Sequence, residues 1–251
     1  MIPLEQVCAG DRMDPLHQFV ISPIFRINAG TVDLSFTNSS LAVFASVALI
    51  YAFFRMGLKS KDLIPDRFRS LVEMSYELIA NLISVNVGAK GHRYFPFVFS
   101  IFIFILVGNL LGMIPYMFTF TSHIIATFTL AMVVFLFVTL LGIYLHGFRF
   151  FTLFAPAGLP KFLLPLLVPI EMISYLSRPI SLAVRLFANM MAGHTMIKVF
   201  AGFSVMLGAL GIAPVAMNVI LTGFEAVIAI LQAYVFAILT CVYLNDAVHL
   251  H

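Results

Sequence analysis

The sequence predicts an all-α integral membrane protein with about five membrane-crossing helices and one interfacial amphipathic helix. Of its 251 residues, 62% are hydrophobic and only 10% are charged, whereas soluble domains usually carry about 25% charged residues. The apolar residues are grouped in segments long enough to cross a hydrocarbon core of ~30 Å. The last two segments are too long to stand upright in such a core, so they are predicted to be steeply inclined.

Composition also excludes several other classes of protein. The net charge of +3 is too small to predict a nucleic-acid partner. Cys8 lies in a polar leader and Cys241 in an apolar segment, so they predict neither a disulfide nor a metal site. The sequence holds no phosphate-binding glycine loop of the Walker type and no nucleophile arrangement, and no cofactor is expected.

Residues 1–38 are of mixed polarity and are interpreted as an extramembrane leader with one short helix at most. The first span is predicted at residues 41–58, which would cover ~27 Å as a helix. Basic residues crowd its C-terminal end: Arg55, Lys59, Lys61, Arg67 and Arg69. Because cytoplasmic flanks carry an excess of Lys and Arg, this end is predicted to be cytoplasmic and the N-terminus to lie outside.

Residues 65–87 show polar and apolar side chains at helical spacing. They are interpreted as an amphipathic helix in the cytoplasmic interface, with a short soluble helix in a loop as the alternative. The second and third spans are predicted at residues 95–116 and 124–146. Asn109, inside the second span, is interpreted as a link between helices. The connection after the third span is basic, which agrees with the orientation of the first.

Two long apolar segments follow, at about 163–201 and 214–248. The first would make ~58 Å of helix, nearly twice the core thickness, and would have to lean by ~59° against a usual tilt of ~20°. Its prolines leave two possibilities open, one kinked and inclined helix or a division at Pro179. Residues 202–213 are predicted to form the outer turn, and residues 39–251 are interpreted as a single membrane domain.

Polar side chains lie inside these two segments, where they normally face a protein interior or a wet cavity. They are Glu171, Arg178, Arg185, Asn189, His194, Lys198, Glu225, Gln232 and Asp246. When the pair is folded at the outer turn, three levels match in distance from it: His194 with Glu225, Arg185 with Gln232, and Glu171 with Asp246. Ser181 and Asn189, four residues to either side of Arg185, share its helix face.

The order of these levels has a chemical interpretation. Histidine and carboxylates exchange protons in a useful pH range, whereas arginine keeps its proton. Two titratable levels separated by Arg185 therefore predict two water-accessible half-paths that end at a fixed positive charge. A proton would cross only on a mobile carboxylate of another chain, which Arg185 would attract by ~4 kcal/mol at ~4 Å and an effective dielectric of ~20.

Structural explanations of the same residues remain open at this point. They are an ion pair between Arg185 and Glu171, a buried hydrogen-bonded pair of His194 and Glu225, and a solvated helix end at Asp246. Arg178, which lies beside a proline, is interpreted as structural, as is Lys198 near the outer interface, where a lysine can snorkel.

Residues 177–194, SRPISLAVRLFANMMAGH, resemble the signature of subunit a of the rotary ATP synthase. Residues 15–19 (PLHQF), residues 108–116 (GNLLGMIPY), and Glu225 with Gln232 match the same family, so the resemblance runs over nearly the whole chain. It implies five membrane-crossing helices and an interfacial one, with the last two inclined against a rotating ring of c subunits. The other implied partners are peripheral-stalk b-type subunits and membrane lipid, and protons are the implied transported ion.

The resemblance also implies roles for individual residues. Arg185 would be the stator arginine that faces the ring carboxylate and prevents a direct leak. The outer half-channel would hold His194, Glu225 and Gln232, the cytoplasmic half-channel Glu171 and Asp246, and the lining near the arginine Ser181 and Asn189.

The predicted function is therefore that of a stator proton channel, which is not an enzyme on its own. The alternative is a stand-alone secondary proton-coupled transporter, a class that usually shows internal repeats, and none is visible in the sequence. A purely structural anchor would not need matched titratable levels. The expected location is the bacterial inner membrane rather than the mitochondrial one, with the C-terminus in the cytoplasm.

Overall fold

The computed structural model describes residues 23–25, 28–29, 32–33, 35–59, 67–114, 118–147, 150 and 164–249. These residues form six α-helices: α1 (Asn38–Lys59), α2 (Arg67–Asn86), α3 (Phe95–Gly112), α4 (Ile124–His146), α5 (Leu164–Met206) and α6 (Ile212–Val248). All of them except α2 are long and apolar enough to cross a membrane. The predicted fold class, an all-α integral membrane protein, is confirmed.

Four short strands precede α1: β1 (Pro23–Phe25), β2 (Asn28–Ala29), β3 (Val32–Asp33) and β4 (Phe36–Thr37). Strand β2 pairs with β3, and β1 pairs with β4, both antiparallel, so one hairpin is nested within the other. The sequence did not predict them, because strands of two or three residues are too short to show an alternating pattern. The PLHQF stretch at residues 15–19 and Cys8 lie outside the described residues.

The middle spans form where the apolar pattern predicts them. Helix α4 has the predicted bounds and is followed by Gly147, whose φ of +57° is in the left-handed region that glycine adopts without a clash. Helix α3 begins at Phe95 as predicted, with a proline in its first turn, where no backbone N–H is needed. It ends at Gly112, four residues before the predicted end.

Helix α2 packs on the bundle through one face. Its buried residues, Ile79, Leu82 and Ile83, belong to the main hydrophobic core. Near its N-terminal end, Nε of Arg69 lies 2.8 Å from Oε1 of Glu73, and both side chains are accessible to solvent. The helix is therefore amphipathic, and its apolar side is anchored rather than free in a loop.

Helix α5 is continuous from Leu164 to Met206, through both Pro169 and Pro179. The structure therefore favours the single inclined helix over a division at Pro179. Proline is tolerated inside such helices because neighbouring groups in the membrane satisfy the freed backbone carbonyl. At 43 residues the helix is ~64 Å long, and α6, at 37 residues, is ~55 Å long. Neither can stand upright in a core of ~30 Å.

The predicted outer turn at residues 202–213 was too long. Helix α5 runs on through Gly202 to Met206, and α6 begins at Ile212. The reversal is made by the short 3-10 helix Gly208–Gly211, in which Gly208 has a φ of +54°. A single glycine costs a helix only about 1 kcal/mol relative to alanine. The prediction from the glycine-rich composition therefore made the turn between the two helices too long.

Helix α6 is the centre of the bundle and packs against α2, α3, α4 and α5. Its buried face is rich in alanine, including Ala229, Ala233 and Ala237, and small side chains let helix backbones approach closely. Nδ2 of Asn109 on α3 donates to the carbonyl oxygen of Ala229 at 3.3 Å. The interpretation of Asn109 as a link between helices is confirmed.

Candidate functional site

Near the turn between α5 and α6, a histidine of α5 and a glutamate of α6 are buried side by side. His194 is 8% exposed and Glu225 is 4% exposed. Nδ1 of His194 lies 3.2 Å from Oε1 of Glu225, within the range of proton transfer. Within the described part of the chain, Oε1 has no partner with the angles of a hydrogen bond, so the contact is close but not aligned. The structure brings together the two residues that were matched by counting from the turn.

The close approach of Glu225 to α5 depends on Gly193, the residue before the histidine. A β-carbon at residue 193 would lie 2.6 Å from Oε1 and 2.9 Å from Cδ of Glu225. Non-bonded carbon atoms attract best at about 3.5–4.0 Å, so a side chain here would displace the carboxylate. This role was not predicted from the sequence, because no sequence pattern shows which residue of α6 lies next to a glycine of α5.

A third polar residue at this level, Thr119, comes from the turn between α3 and α4. It is 1% exposed, and its Oγ1 lies 3.2 Å from Nε2 of His194. The same hydroxyl donates to the carbonyl oxygen of Gly112 at 3.1 Å. The sequence did not predict Thr119. A signal was present in the hydroxyl residues Thr119, Thr121 and Ser122 between two apolar spans, all of which are buried and therefore need polar partners.

Arg185 lies at the midpoint of α5, 21 residues from Leu164 and 21 from Met206. Its side chain is exposed. Across the residues that the structure describes, it makes neither a hydrogen bond nor an ion pair. The ion pair with Glu171 that the sequence left open is therefore not formed. An arginine at membrane depth costs at least ~2.5–3.5 kcal/mol on insertion scales, and the helix itself supplies no anion that would offset this.

One turn from Arg185, an amide pair joins the two long helices. Nδ2 of Asn189 donates to Oε1 of Gln232 at 2.9 Å. Gln232 is buried, and its Nε2 has no partner in the described ranges. Ser181, four residues before Arg185, is exposed on the same face. Gln232, which was matched with Arg185 by counting from the turn, therefore contacts Asn189 instead.

Farther from the turn, toward the C-terminal end of α6, Arg178 of α5 binds to α6. Its Nη1 donates to Oδ2 of Asp246 at 2.7 Å. Its guanidinium carbon lies 5.2 Å from the ring centroids of both Tyr175 and Tyr243, in the range of a cation–π interaction. The Tyr175 hydroxyl is in turn 2.8 Å from Oγ1 of Thr139 on α4. No partner of Arg178 was predicted from the sequence, and in the structure it binds Asp246.

Glu171, which the counting matched with Asp246, does not contact it. Its side chain is half-buried, and no hydrogen bond or ion pair is formed with any other described residue. Glu171 lies two helical turns beyond Arg178 on α5. The solvated-end alternative for Asp246 is also not supported, because its carboxylate is held by Arg178.

Three sites with different chemistry therefore follow one another along the pair. The buried His194 and Glu225 can exchange a proton. Arg185, nine residues or ~13.5 Å away along α5, offers a fixed positive charge on the surface. Arg178, seven residues or ~10.5 Å beyond, holds Asp246.

A family model described as ATP synthase A chain matches residues 40–245. An ATP synthase subunit a of Chelativorans sp. (strain BNC1) is 56% identical over 243 residues, which cover 94% of this chain and 98% of that one. One from Agrobacterium fabrum is also 56% identical, with the same coverage. One from Parvibaculum lavamentivorans is 52% identical over 252 residues, covering 98% of this chain and 97% of its own.

Proposed function

The chain belongs to the ATP synthase A chain family, and from this premise we propose that it is the stator proton-channel subunit of the membrane sector of ATP synthase. It conducts protons as one part of the complex, and the chemistry of ATP belongs to other subunits. The observation that carries the proposal is the exposed Arg185 at the midpoint of α5, which has no anion among the described residues.

A fixed charge in this position calls for a counter-ion from another chain. A carboxylate at ~4 Å would be attracted by ~4 kcal/mol at an effective dielectric of ~20, which is strong enough to favour its ionised form and weak enough to let it leave. A ring of c subunits that each carry one such carboxylate fits this requirement. Because arginine does not release its proton, Arg185 would also prevent a direct leak between the two sides.

Two half-channels that are offset along the pair would serve the ring carboxylates. The outer one would contain His194, Glu225 and Gln232, and is supported by the 3.2 Å contact of the first two residues. The cytoplasmic one would contain Glu171 and Asp246. Ser181 and Asn189 would line the region next to Arg185, where the Asn189 amide already binds Gln232.

The further partners in this proposal are peripheral-stalk b-type subunits and the membrane lipid that surrounds the exposed apolar faces. Because the relatives named above are bacterial, the proposed location is the bacterial inner membrane. The basic residues at the end of α1, such as Arg55, support a cytoplasmic location for that end by the positive-inside rule. With five crossings, the N-terminus would be outside and the C-terminus in the cytoplasm.

The test is ATP-driven proton pumping by the complete ATP synthase in inverted membrane vesicles. The variant Arg185→Ala is expected to abolish pumping, because the ring carboxylate loses its counter-ion and the two half-channels lose their barrier. Arg69→Ala is the matched control, because its exposed pair with Glu73 is of a kind that contributes only about 0–1 kcal/mol. Normal pumping by an assembled complex with Arg185→Ala would refute the proposal.

A further inference from the structure

We propose that Thr119 is a positioning residue of the outer half-channel, which orients the His194 ring so that only Nδ1 exchanges a proton with Glu225. The inference rests on the proposed function, because it names an additional residue that acts on the same proton path. It is carried by the geometry of four groups, one each from the turn after α3, the end of α3, α5 and α6.

The direction of the hydrogen bonds follows from the partners of the Thr119 hydroxyl. This hydroxyl has one hydrogen and two neighbours, the Gly112 carbonyl oxygen at 3.1 Å and Nε2 of His194 at 3.2 Å. Gly112 is the last residue of α3, so its carbonyl has no partner within the helix, and a buried acceptor left without a donor costs about 1–3 kcal/mol. A carbonyl can only accept, so the hydroxyl hydrogen is directed to Gly112. Its oxygen then accepts a hydrogen bond from Nε2–H of His194.

This arrangement fixes the tautomer of the ring. With the hydrogen on Nε2, the neutral histidine has its lone pair on Nδ1, the atom that lies 3.2 Å from Oε1 of Glu225. A proton then passes as the O–H bond of a protonated Glu225 breaks and an N–H bond forms at Nδ1. The products are an imidazolium and a carboxylate, and Nε2 keeps its hydrogen and its bond to Thr119 in both states. The terminal torsion of the glutamate is soft, and the proposed transfer uses a rotation about it to align the contact.

The charged surroundings support exchange rather than a permanent charge on the ring. The charged groups that act on His194 include Glu225 from α6 and Lys198 from α5. Lys198 lies one turn along the same helix face, where like charges oppose each other. In the described part of the turn after α3, the neutral Thr119 contacts the ring. A protonated ring is therefore stabilised mainly while Glu225 is ionised, which couples the two groups.

The experiment compares three variants in the complete ATP synthase in inverted vesicles, across a series of pH values. Thr119→Val keeps the shape and removes the oxygen, and is expected to slow ATP-driven pumping about tenfold, the effect of one buried hydrogen bond, and to displace the pH profile of the rate. Thr119→Ser keeps the hydroxyl and is expected to restore both the rate and the profile. Thr240→Val is the matched control, since Thr240 is equally buried at 1% exposed and, among the described residues, its hydroxyl bonds only to the backbone of its own helix, at Phe236.

Two outcomes would overturn the inference. One is a Thr119→Val complex with the rate and pH profile of the unmodified complex. The other is a Thr119→Ser complex as slow as Thr119→Val, because a retained hydroxyl would then not be enough to orient the ring. Should Thr119→Val not assemble, Thr119→Ala removes the same oxygen without added bulk and must show the same slow rate and displaced profile. If Arg185→Ala is inactive while Thr119→Val is normal, the inference fails and the proposed function stands, whereas a normal Arg185→Ala complex overturns the proposed function itself.

Discussion

Gly193 and Glu225 are in contact across the α5–α6 interface, with no room for a methyl group between the backbone of one and the carboxylate of the other. A β-carbon at residue 193 would come within 2.6 Å of Oε1. Gly193 leaves room for the Glu225 carboxylate, and the next residue in the sequence, His194, contacts it. The absence of one side chain thus sets the distance between the two titratable groups.

Gly193→Ala is therefore expected to reduce proton pumping severely, on the order of tenfold or more, since displacing a reacting group by ~1 Å can cost a factor of ~100. Gly202→Ala is the matched control on the same helix, because a β-carbon there has no neighbour within 4 Å. Alanine generally stabilises a helix relative to glycine, so the control is expected to be neutral or slightly stabilising. The measurement is the initial rate of ATP-driven pumping in vesicles that contain equal amounts of complex. Equal rates for the two alanine variants would show that the contact has no functional role.

Glu225→Gln is expected to slow proton flow from the outer side at least tenfold, because the amide has nearly the same shape but cannot take up and release a proton. Loss of a general acid–base group typically costs a factor of ~100 or more. Glu73→Gln on the exposed side of α2 makes the same chemical change outside the site and is expected to be without effect. The readouts are passive proton conduction, after removal of the soluble catalytic sector, and coupled ATP synthesis. Unchanged values for both in Glu225→Gln would remove Glu225 from the proton path.

The Arg178–Asp246 pair is expected to stabilise the helix pair. Either Arg178→Met or Asp246→Asn leaves one half-buried charge without its partner. The hydrogen bond that is lost, being to a charged group, contributes about 1.5–3 kcal/mol to stability. In a chain of this size 1 kcal/mol corresponds to about 2–4 °C in the midpoint of thermal unfolding. Each single variant is thus expected to lower by several degrees the temperature at which the subunit is lost from the detergent-purified complex.

The double variant decides whether the two residues act together. If they do, its effect is smaller than the sum of the single effects. The exposed Arg69–Glu73 pair, changed in the same way, provides the control cycle and is expected to show no coupling above about 1 kcal/mol. Strictly additive effects at Arg178 and Asp246 would mean that the ion pair contributes nothing to holding α5 against α6.

Sequence patterns predicted the membrane fold well, because apolar segments of span length are conspicuous. Helix α4 has the predicted bounds, and the inclination of α5 follows from its length alone. The outer turn was misjudged at Gly202, where helix propagation between apolar neighbours outweighs the low propensity of one glycine. The leader hairpin was missed, since strands this short have no periodicity.

The residues of the site divide along similar lines. Arg185, His194 and Glu225 stood out because ionisable groups are rare inside apolar segments. Thr119 and Gly193 did not, since one is an ordinary turn residue and the other acts through an absent side chain. Their roles exist only in the distances between separate elements.

The partner of Asp246 shows a different limit. Counting from the turn matched it with Glu171, because the count treats the two helices as straight, parallel and bearing short side chains. Between the His194–Glu225 contact and the Arg178–Asp246 contact, α5 advances by 16 residues and α6 by 21. A long arginine side chain bridges that difference, which no one-dimensional count includes.

The continuity of α5 through Pro179 has a mechanical consequence. A rod of ~64 Å is braced at two points, by the tyrosine-flanked Arg178 on one side of its midpoint and by the Thr119–His194–Glu225 contacts on the other. Arg185 lies between the two braces. If the proposed function holds, a ring that turns past this charge would push it sideways at each step, and the load would be shared between two supports instead of bending a hinge at the proline. The contacts on either side of Arg185 would then keep its charge in position while the proposed partner moves.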